Sequence, residues 1–342
     1  MLDSREMARS RPRVLVTEPE YRKAEACFSS APGVMCLSAP EAEADLASAV
    51  REAQALYVIV GPRTYSGALY EALQAGGVIA RFGVGHDGID KARATEAGLL
   101  CTNTPGVLNQ SVAEHTMLLV AAAARRLVST SASLARHVWD PAMGEELHGK
   151  TLAIIGCGSI GRSVARIASS GYGMHVVGCS RPDVPPPMAV EHFRVVVNDF
   201  AMAVRAADFV SLHLSAGSDN VHFVNGERLA HLGSHAWLIN AARGSVVDEA
   251  ALFAALTERR LAGAALDVFV REPYAPVEGS GDLRSLPNVI LTPHVGSNTV
   301  EANRRMAERA LQNIVLAEAR AFARMDLLNP EVLRRAVGPR RA

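Results

Sequence analysis

The sequence predicts an α/β protein built from two doubly wound parallel-sheet domains. Short runs rich in β-branched residues alternate with helix-like runs along most of the 342 residues. Such alternation is typical of parallel strands covered by helices on both faces. The strand-like runs form two series, separated by a break at 103–106 and a long apolar helix. At roughly 150 residues per domain, the length also suits two domains.

The elements follow in chain order. The strand-like runs of the first series are RVLVTEP, GVMCL, LYVIVG, VIARFG and LLCTN, with ADLASAVREA, SGALYEAL and DKARATEAG as helix-like runs among them. The helix SVAEHTMLLVAAAARRL is expected from about Ser111. The strand-like runs of the second series are TLAIIG, HVVGCS, DFVSLH, AWLINAA, AGAALDV and NVILTPH, and the helix VEANRRMAERALQNIVLAEARAFA comes after them.

This order predicts an interrupted domain. Because a long helix follows the last strand and no further domain comes after it, the C-terminal stretch is expected to return to the first body. The predicted substrate-binding domain comprises residues 1–104 and 296–342. The predicted dinucleotide-binding domain comprises residues 105–295.

Composition disfavours several classes of function. Lys+Arg (35) equals Asp+Glu (35), so the chain has no bulk attraction to nucleic acid or to acidic membranes. Five Cys without metal-like spacing predict free thiols, a reducing compartment and no bound metal. The N-terminal residues lack a signal-peptide core, and the longest apolar run, 117–124, is too short to span a bilayer. We therefore expect a soluble cytoplasmic protein.

A phosphate-binding turn is predicted at 156–161, where Gly-Cys-Gly-Ser-Ile-Gly fits G-x-G-x-x-G between a strand-like and a helix-like run. Gly156 allows the tight turn, Gly158 lets a pyrophosphate approach the backbone, and Gly161 lets helix and strand pack closely. The helix N-terminus adds N–H groups and a positive dipole. This context predicts a dinucleotide cofactor, and the alternative is a Gly-rich turn without a ligand.

The strand after this turn bears on the choice between NAD and NADP. An acidic residue is expected there to accept hydrogen bonds from the ribose hydroxyls, but the strand ends with Cys179, Ser180 and Arg181. Without a carboxylate a 2′-phosphate is not repelled, and Arg181 has the charge to pair with it. The sequence therefore favours NADP(H) over NAD(H). Two alternatives are an exposed Arg181 with no preference and Asp183 folding back as the acceptor.

Polar residues follow neighbouring strands near the C-terminal end of the second series, namely Arg243, Asp267, Glu272 and His294. Successive parallel strands joined by right-handed crossovers usually lie side by side, so these residues should gather at the carboxyl edge of the sheet. An Arg holds a carboxylate through two hydrogen bonds. A His exchanges protons near neutral pH, and a Glu beside it stabilises the imidazolium.

Together with a nicotinamide, this set predicts reduction of a 2-oxo acid, in which His294 protonates the carbonyl oxygen. The alternative is a structural role for each: Arg243 as a surface arginine, Glu272 as a helix cap and His294 as a turn residue.

In these motifs and in the sequence around them, the chain resembles the D-isomer-specific 2-hydroxyacid dehydrogenases. The matching strings are NTPGVLNQSVAEHT (103–116), LHGKTLAIIGCGSIGRSVA (147–165), INAARGSVVDEAAL (239–252), AGAALDVFVREP (262–273) and LPNVILTPHVGS (286–297). The separation between Arg243 and Glu272 also matches that family. The resemblance implies a Rossmann dinucleotide-binding domain inserted into a flavodoxin-like substrate domain. It further implies NAD(P)-dependent interconversion of a small 2-oxo acid and a D-2-hydroxy acid, and a homodimer that uses the long helix near Ser111.

The resemblance also implies roles for single residues. Arg243 would bind the substrate carboxylate and carbonyl, His294 would be the acid/base, and Glu272 would orient and charge His294. Asp267 falls where the family holds the nicotinamide carboxamide. The backbone amides of loop 82–85 would meet the substrate carboxylate, mainly at Val84 and Gly85. Taken with the phosphate-binding turn and the end of the next strand, the expected cofactor-binding residues are Gly156, Gly158, Ser159, Ile160, Gly161, Ser180, Arg181, Ala241, Asp267 and His294.

Two departures from the family pattern concern the cofactor. Ser180 replaces the usual Asp of NAD users. Leu214 and Ser215 stand where the family often has Thr-Pro, which removes a hydroxyl near the cofactor.

Two arginines bear on the substrate. Arg63 and Arg81 resemble positions that meet a phosphate in D-3-phosphoglycerate dehydrogenases, and two Arg suit a second anionic group. A phosphate- or phosphonate-bearing substrate is therefore one interpretation, and a structural Arg81 is the other. The C-terminal regulatory domain of many phosphoglycerate dehydrogenases is not expected in this chain.

Two alternative functions share the fold. A nucleotide-sensing, corepressor-like binding protein would keep the catalytic residues, but the neutral charge and the lack of long disordered tails disfavour it. A formate-type dehydrogenase is also disfavoured, because those enzymes carry Gln where this chain has Glu272. Phosphite-type dehydrogenases keep the Arg/Glu/His set, so that alternative stays open.

Overall fold

A computed structural model describes residues 11–181 and 191–336. The chain divides into two compact units. Unit 1 comprises Met1–Leu108 and Thr299–Ala342, and unit 2 comprises Asn109–Asn298. The domain boundaries predicted from the sequence lie a few residues before these.

The first segment of unit 1 alternates strands with short helices. Its strands are β1 (Arg13–Thr17), β2 (Met35–Ala39), β3 (Tyr57–Val60), β4 (Val78–Arg81) and β5 (Leu100–Thr102). Its helices are α1 (Glu18–Lys23), α2 (Glu25–Ser29), α3 (Glu43–Ala53), α4 (Ala68–Ala72) and α5 (Lys91–Glu96). Within the described residues these strands form one parallel sheet in the order β2-β1-β3-β4-β5. This is the flavodoxin-like order.

Side chains set the ends of these short helices. Asp90 accepts a hydrogen bond from Arg93 N at 3.0 Å and so begins α5. Glu43 reaches across to the start of α4 and accepts hydrogen bonds from Gly67 N at 2.7 Å and Leu69 N at 3.2 Å. Helices of five or six residues are marginal by themselves, and these carboxylates supply partners for N–H groups that the helices leave open.

Unit 2 carries the larger sheet. Its strands are β6 (Thr151–Ile155), β7 (His175–Cys179), β8 (Val195–Val197), β9 (Phe209–Leu212), β10 (Trp237–Asn240), β11 (Gly263–Leu266) and β12 (Val289–Leu291). Its helices are α6 (Asn109–Ala124), α7 (Leu127–Ala135), α8 (Ser159–Arg166), α9 (Phe200–Val204), α10 (Gly226–Leu229) and α11 (Glu249–Thr257). A π-helical turn, Ile167–Gly171, continues α8.

In the described part of unit 2 the strands form one parallel sheet in the order β12-β11-β10-β9-β6-β7-β8. Strand order reverses between β6 and β9, and open α/β sheets bind ligands beyond the carboxyl ends of their strands at such a point. The α/β class with two parallel sheets, predicted from the alternation of runs, is confirmed.

The C-terminal segment belongs to unit 1. Helix α12 (Val300–Glu318) packs against β4 and α2, and α13 (Val332–Ala336) comes near the end of the described chain. Asn329 is buried and ties this segment to the sheet by accepting a hydrogen bond from Cys101 N at 2.8 Å. The return of the chain into unit 1 therefore rests on specific hydrogen bonds as well as on apolar packing.

Three elements differ from the runs expected from sequence. The long apolar helix stops at Ala124, because Arg126 takes a left-handed conformation (φ 51°) and α7 starts anew. Helix α12 stops at Glu318, shortly before Arg320, which also has positive φ (52°). Strand β8, a short edge strand of three residues, was not among the expected runs.

None of the helices in residues 11–181 and 191–336 has both the length and the hydropathy to span a membrane alone. Helices α6 and α7 reach those limits only when counted together, and they are bent by 63° at the break between them.

Candidate active site

The turn after β6 has the geometry of a phosphate cradle. Gly156 has φ +103°, and a Cβ there would lie 2.5 Å from His213 O. A Cβ at Gly161 would lie 2.2 Å from Gly156 O, so α8 packs directly on the turn. A Cβ at Gly158 would meet nothing within 4 Å. Two glycines are therefore needed for packing, and the third leaves open space where a dinucleotide pyrophosphate fits.

Ser159 and Ile160 open helix α8 directly after this turn, with Ser159 exposed and Ile160 half-buried. The backbone of the turn is held from both neighbouring strands, since Gly156 N donates to Cys179 O at 2.9 Å and His213 N donates to Ile155 O at 2.8 Å. Desolvation lowers the pKa of His213 to about 4, so this imidazole is neutral at neutral pH. His213 therefore adds no positive charge beside the turn.

The end of β7 is held by an asparagine that sequence reasoning did not identify. Ser180 N donates to Val197 O at 2.9 Å, and Asn198 Nδ2 donates to Ser180 Oγ at 3.1 Å. Asn198 Nδ2 also bonds the carbonyl of Arg181, whose side chain is exposed. Asp183, the alternative ribose acceptor, lies outside the described residues.

Arg243 is positioned by a buried amide at the end of β10. Asn240 is 1% exposed, accepts from Ala242 N at 3.0 Å and donates to Arg243 O at 2.9 Å. The half-buried Arg243 side chain contacts Ala242 O through Nη1 at 2.6 Å. Ala241, also half-buried, lies between them. Asn240 thus fixes the turn that presents the guanidinium at the carboxyl edge of the sheet.

Glu272 and His294 form a close pair at the same edge of unit 2. His294 Nδ1 lies 2.6 Å from Glu272 Oε2, and the side chains are 37% and 34% exposed. Glu272 Oε1 accepts from Phe269 N at 3.0 Å, which orients the carboxylate. Because an ionised carboxylate only accepts, the proton between them belongs to His294 Nδ1. Nε2 is therefore the nitrogen left for proton exchange with a ligand.

Asp267 is buried directly beneath this pair. Its carboxylate is 1% exposed and accepts hydrogen bonds from Thr292 Oγ1 (2.6 Å), Val295 N (2.9 Å) and Gly296 N (2.8 Å). His115 Nε2, from α6, lies 3.3 Å from Asp267 Oδ1. Burial alone would raise the pKa of Asp267, but these hydrogen bonds outweigh it and lower the pKa.

The backbone of Asp267 also holds His294, whose N–H donates to Asp267 O at 2.8 Å. His294 has positive φ (53°), so its conformation depends on such contacts. Sequence reasoning missed His115 in this arrangement. The available signal was a single histidine within an otherwise apolar helix.

Loop 82–85 of unit 1 is fixed from within its own unit. All four of its carbonyl oxygens accept hydrogen bonds, two of them from the Arg81 guanidinium. The pairs are Arg81 Nη1 with Phe82 O, Thr104 N with Gly83 O (3.0 Å), Asn103 Nδ2 with Val84 O (2.8 Å) and Arg81 Nε with Gly85 O (2.8 Å). Arg63 is exposed and pairs with Glu41 at 3.3 Å. The structure thus gives Arg81 a loop-holding role.

Fold and site together define an α/β protein with a dinucleotide-binding unit and a paired His–Glu at the ligand edge of its sheet. The family model for the NAD binding domain of D-isomer specific 2-hydroxyacid dehydrogenases matches residues 117–296, more than half of the chain. The chain belongs to the D-isomer-specific 2-hydroxyacid dehydrogenase family. It is an NAD(P)-dependent oxidoreductase that uses a nicotinamide dinucleotide.

Three relatives illustrate the range of the family. A glyoxylate reductase of Thermococcus litoralis is 38% identical, over 83% of this chain and 86% of that protein. A D-3-phosphoglycerate dehydrogenase of Methanocaldococcus jannaschii is 35% identical, over 92% of this chain and 58% of that protein. The NADPH-dependent glyoxylate/hydroxypyruvate reductase of Sinorhizobium meliloti, solved with NADP and malonate, is 30% identical. Its TM-score is 0.74, with 90% of this chain and 93% of that chain covered. These relatives support interconversion of 2-oxo acids and hydroxy acids as the reaction.

Proposed function

We propose that this protein reduces a small 2-oxo acid to the D-2-hydroxy acid, with His294 as the acid/base, Glu272 as its partner and Arg243 as the carboxylate-binding residue. The observation that carries the proposal is the 2.6 Å contact between His294 Nδ1 and Glu272 Oε2. It lies at the carboxyl edge of the sheet whose β6 turn forms the phosphate cradle. A bound nicotinamide would supply the hydride for the carbonyl carbon.

In this proposal the protonated His294 gives its Nε2 proton to the carbonyl oxygen as that oxygen gains negative charge. The Glu272 carboxylate stabilises the imidazolium before transfer and fixes the ring orientation through Nδ1. Arg243 binds the substrate carboxylate through its planar guanidinium and polarises the neighbouring carbonyl. In the reverse direction neutral His294 accepts the hydroxyl proton.

Loop 82–85 is part of the same proposal. We infer that the amides of Val84 and Gly85 bind the substrate carboxylate, as in the family. The fixed carbonyls of this loop support the inference, because they leave a rigid backbone whose N–H groups need no rearrangement to bind an anion. Asp267 is proposed to bind the nicotinamide carboxamide in addition to holding the turn beneath His294.

We propose NADP(H) as the preferred cofactor. Two observations support it: the absence of a carboxylate at Ser180 and the exposed guanidinium of Arg181 in the next position. A similar reductase, that of Sinorhizobium meliloti, is NADPH-dependent. Without a carboxylate at position 180 the 2′-phosphate of NADP is not repelled, and the positive charge of Arg181 would attract it.

We propose an unphosphorylated substrate such as glyoxylate or hydroxypyruvate. The contacts of Arg81 with two loop carbonyls and of Arg63 with Glu41 support structural roles for these arginines. A phosphate would have to compete for both guanidinium groups.

We also propose that the protein is a homodimer. Helix α7 carries exposed Leu127, Val128 and Leu134, no described residue of it is buried, and Trp139 and Met143 beyond it are 84% and 88% exposed. Large apolar surfaces of this kind mark interaction sites. Most of α6, the helix expected from the resemblance to carry the dimer, is buried within the chain. Size-exclusion chromatography with light scattering should show a dimer that Leu134→Glu disrupts.

The activity is tested by following the absorbance of NADPH and of NADH with glyoxylate, hydroxypyruvate, phosphohydroxypyruvate, phenylpyruvate and 2-oxoisocaproate. We expect turnover with NADPH and a small unphosphorylated acid, and loss of turnover in His294→Ala. Higher kcat/KM with NADH would reject the cofactor proposal. Preference for phosphohydroxypyruvate, weakened by Arg81→Ala, would reject the substrate proposal. Phosphite-dependent reduction of NADP without 2-oxo acid turnover would reject the proposed reaction in favour of a phosphite-type dehydrogenase.

A further inference from the structure

A second glutamate lies buried behind the Glu272–His294 pair, and the proposed reaction gives it no role. Glu249 is the first residue of α11 and is 5% exposed. The N-cap of the same helix is provided by Asp248, which accepts from Ala250 N and Ala251 N at 3.1 and 3.0 Å. Helix capping therefore does not explain Glu249, and burying a carboxylate is costly unless it is bonded.

Glu249 binds the backbone of the segment that carries Glu272. Its Oε1 accepts from Val270 N at 2.7 Å, while Glu272 Oε1 accepts from the preceding amide, Phe269 N, at 3.0 Å. Two adjacent amides are thus held by two different carboxylates, one from α11 and one from the segment itself. Gly244 also packs closely against the segment, since a Cβ there would lie 1.9 Å from the carbonyl carbon of Phe269.

The two carboxylates are also close enough to influence each other electrostatically. Burial raises the pKa of Glu249, the hydrogen bond from Val270 N opposes this, and the charge of Glu272 raises it further. The site thus keeps a carboxyl group at an electrostatic cost. Retention of such a group is understandable if the geometry it imposes on residues 269–272 matters.

We propose that Glu249 is a positioning residue for the acid/base pair, a role that rests on the proposed function. Its bond to Val270 N fixes the segment between Phe269 and Glu272, which places Glu272 Oε2 against His294 Nδ1. Glu249 acts through the segment and through Glu272, without touching the reacting atoms.

The test compares Glu249→Leu, which removes the acceptor, with Glu249→Gln, which keeps an acceptor and removes the charge. The control is Glu258→Leu, which changes an exposed glutamate just beyond the same helix. We expect Glu249→Leu to lower kcat by about 10- to 100-fold, the scale of a misplacement near 1 Å, with cofactor KM nearly unchanged. Glu249→Gln should restore most of kcat, and Glu258→Leu should match the wild type.

A double-mutant cycle with Glu272→Gln separates positioning from a general structural role. If Glu249 acts through Glu272, Glu249→Leu in the Glu272→Gln background should have little further effect. Losses that multiply would overturn the proposal, as would a folded Glu249→Leu with wild-type kcat or a Glu249→Gln as impaired as the Leu variant. If Glu249→Leu does not fold, Glu249→Asp, which draws the acceptor back by one methylene, takes its place with a smaller loss expected.

A measurement without turnover distinguishes failure of this proposal from failure of the proposed function. The ring resonance of His294, assigned by its loss in His294→Asn, is compared at one pH in the protein without substrate. We expect Glu249→Leu to move this resonance in the same direction as Glu272→Gln, and Glu249→Gln to leave it near its wild-type position. An unmoved resonance in Glu249→Leu overturns the positioning role whatever the substrate proves to be.

Discussion

Two histidine–carboxylate pairs meet the turn at residues 292–296, and they differ chiefly in burial. His294 and Glu272 are in contact at 2.6 Å with about a third of each side chain exposed. His115 and Asp267 lie 3.3 Å apart, where the side chains are 12% and 1% exposed. The same residue types thus occur at one sheet edge in two different environments.

The difference teaches what each environment allows. The exposed pair has one imidazole nitrogen available for ligands, and water can replace a proton that it gives away. The buried pair is bonded mainly within the chain: Asp267 binds Thr292 and two backbone amides of the turn. In a low-dielectric interior such bonds are strong and costly to break. We therefore assign proton exchange to the exposed pair and support of the turn to the buried one.

Replacement of His294 should give the largest effect, and it should fall on catalysis alone. His294→Asn suits the positive φ of this position, because Asn tolerates left-handed backbone. Loss of the proton donor should lower kcat/KM about 10²- to 10⁴-fold, with the free energy of unfolding little changed. Turnover assays and urea unfolding measure the two quantities, and His231→Asn, an exposed position, is the control. Retained turnover would break the assignment of proton exchange to this pair.

Replacement of Asp267 should act mainly on stability. Asp267→Ala leaves the buried donors at Thr292, Val295 and Gly296 without their acceptor, at about 1–3 kcal/mol for a group left unsatisfied. We expect the free energy of unfolding to fall by about 3 kcal/mol or more, which urea titration would detect. A variant as stable as the wild type would show that the turn does not depend on the buried pair.

The pH dependence of the free energy of unfolding at acid pH is a second test of the buried pair. The lowered pKa of Asp267 means that its contribution is present above the unfolded value of about 3.9 and disappears as pH falls through the lower folded value. Asp267→Asn should therefore be less stable than the wild type at pH 7, and the difference should shrink below about pH 4. Unfolding curves measured between pH 2 and 7 give the comparison, and a difference that does not vary with pH would contradict it.

Sheet order accounts for what could be predicted from the sequence. Alternating strand-like and helix-like runs sufficed for two parallel sheets, because most of the strand-like runs are apolar enough to be buried on both faces. Strand adjacency then predicts that Glu272 and His294 share one edge, and they meet at 2.6 Å. The end of α6 was not predictable in this way, since the helix-like run expected from the sequence continues through Arg126, the residue that leaves the helical conformation.

Residues that bind backbone atoms are harder to predict. Glu249 resembles any first-turn glutamate of a helix, and its partner is an amide 21 positions away. His115 resembles a core residue of an apolar helix until Asp267 and Thr292 are brought beside it. Asn240 binds backbone atoms two and three positions further along the chain, yet nothing in its type distinguishes it from any other turn residue at a strand end. Such roles depend on where the chain returns, which residue type and spacing do not encode.

Replacement of His115 should give the smallest effect. It tests whether the buried pair has a role in proton transfer as well as in holding the turn. His115→Phe keeps the ring volume and removes one of several partners of the Asp267–Thr292 hydrogen bonds, so we expect a loss of about 0.5–1.5 kcal/mol in the free energy of unfolding. Because the remaining bonds still hold the turn, kcat should change by no more than about threefold, less than 1 kcal/mol. His115→Gln, which keeps an N–H donor, should recover most of the stability in urea titration. A drop in kcat as large as that of His294→Asn would mean that the buried imidazole itself takes part in proton transfer. The two pairs would then form a single relay, and burial would no longer separate their roles.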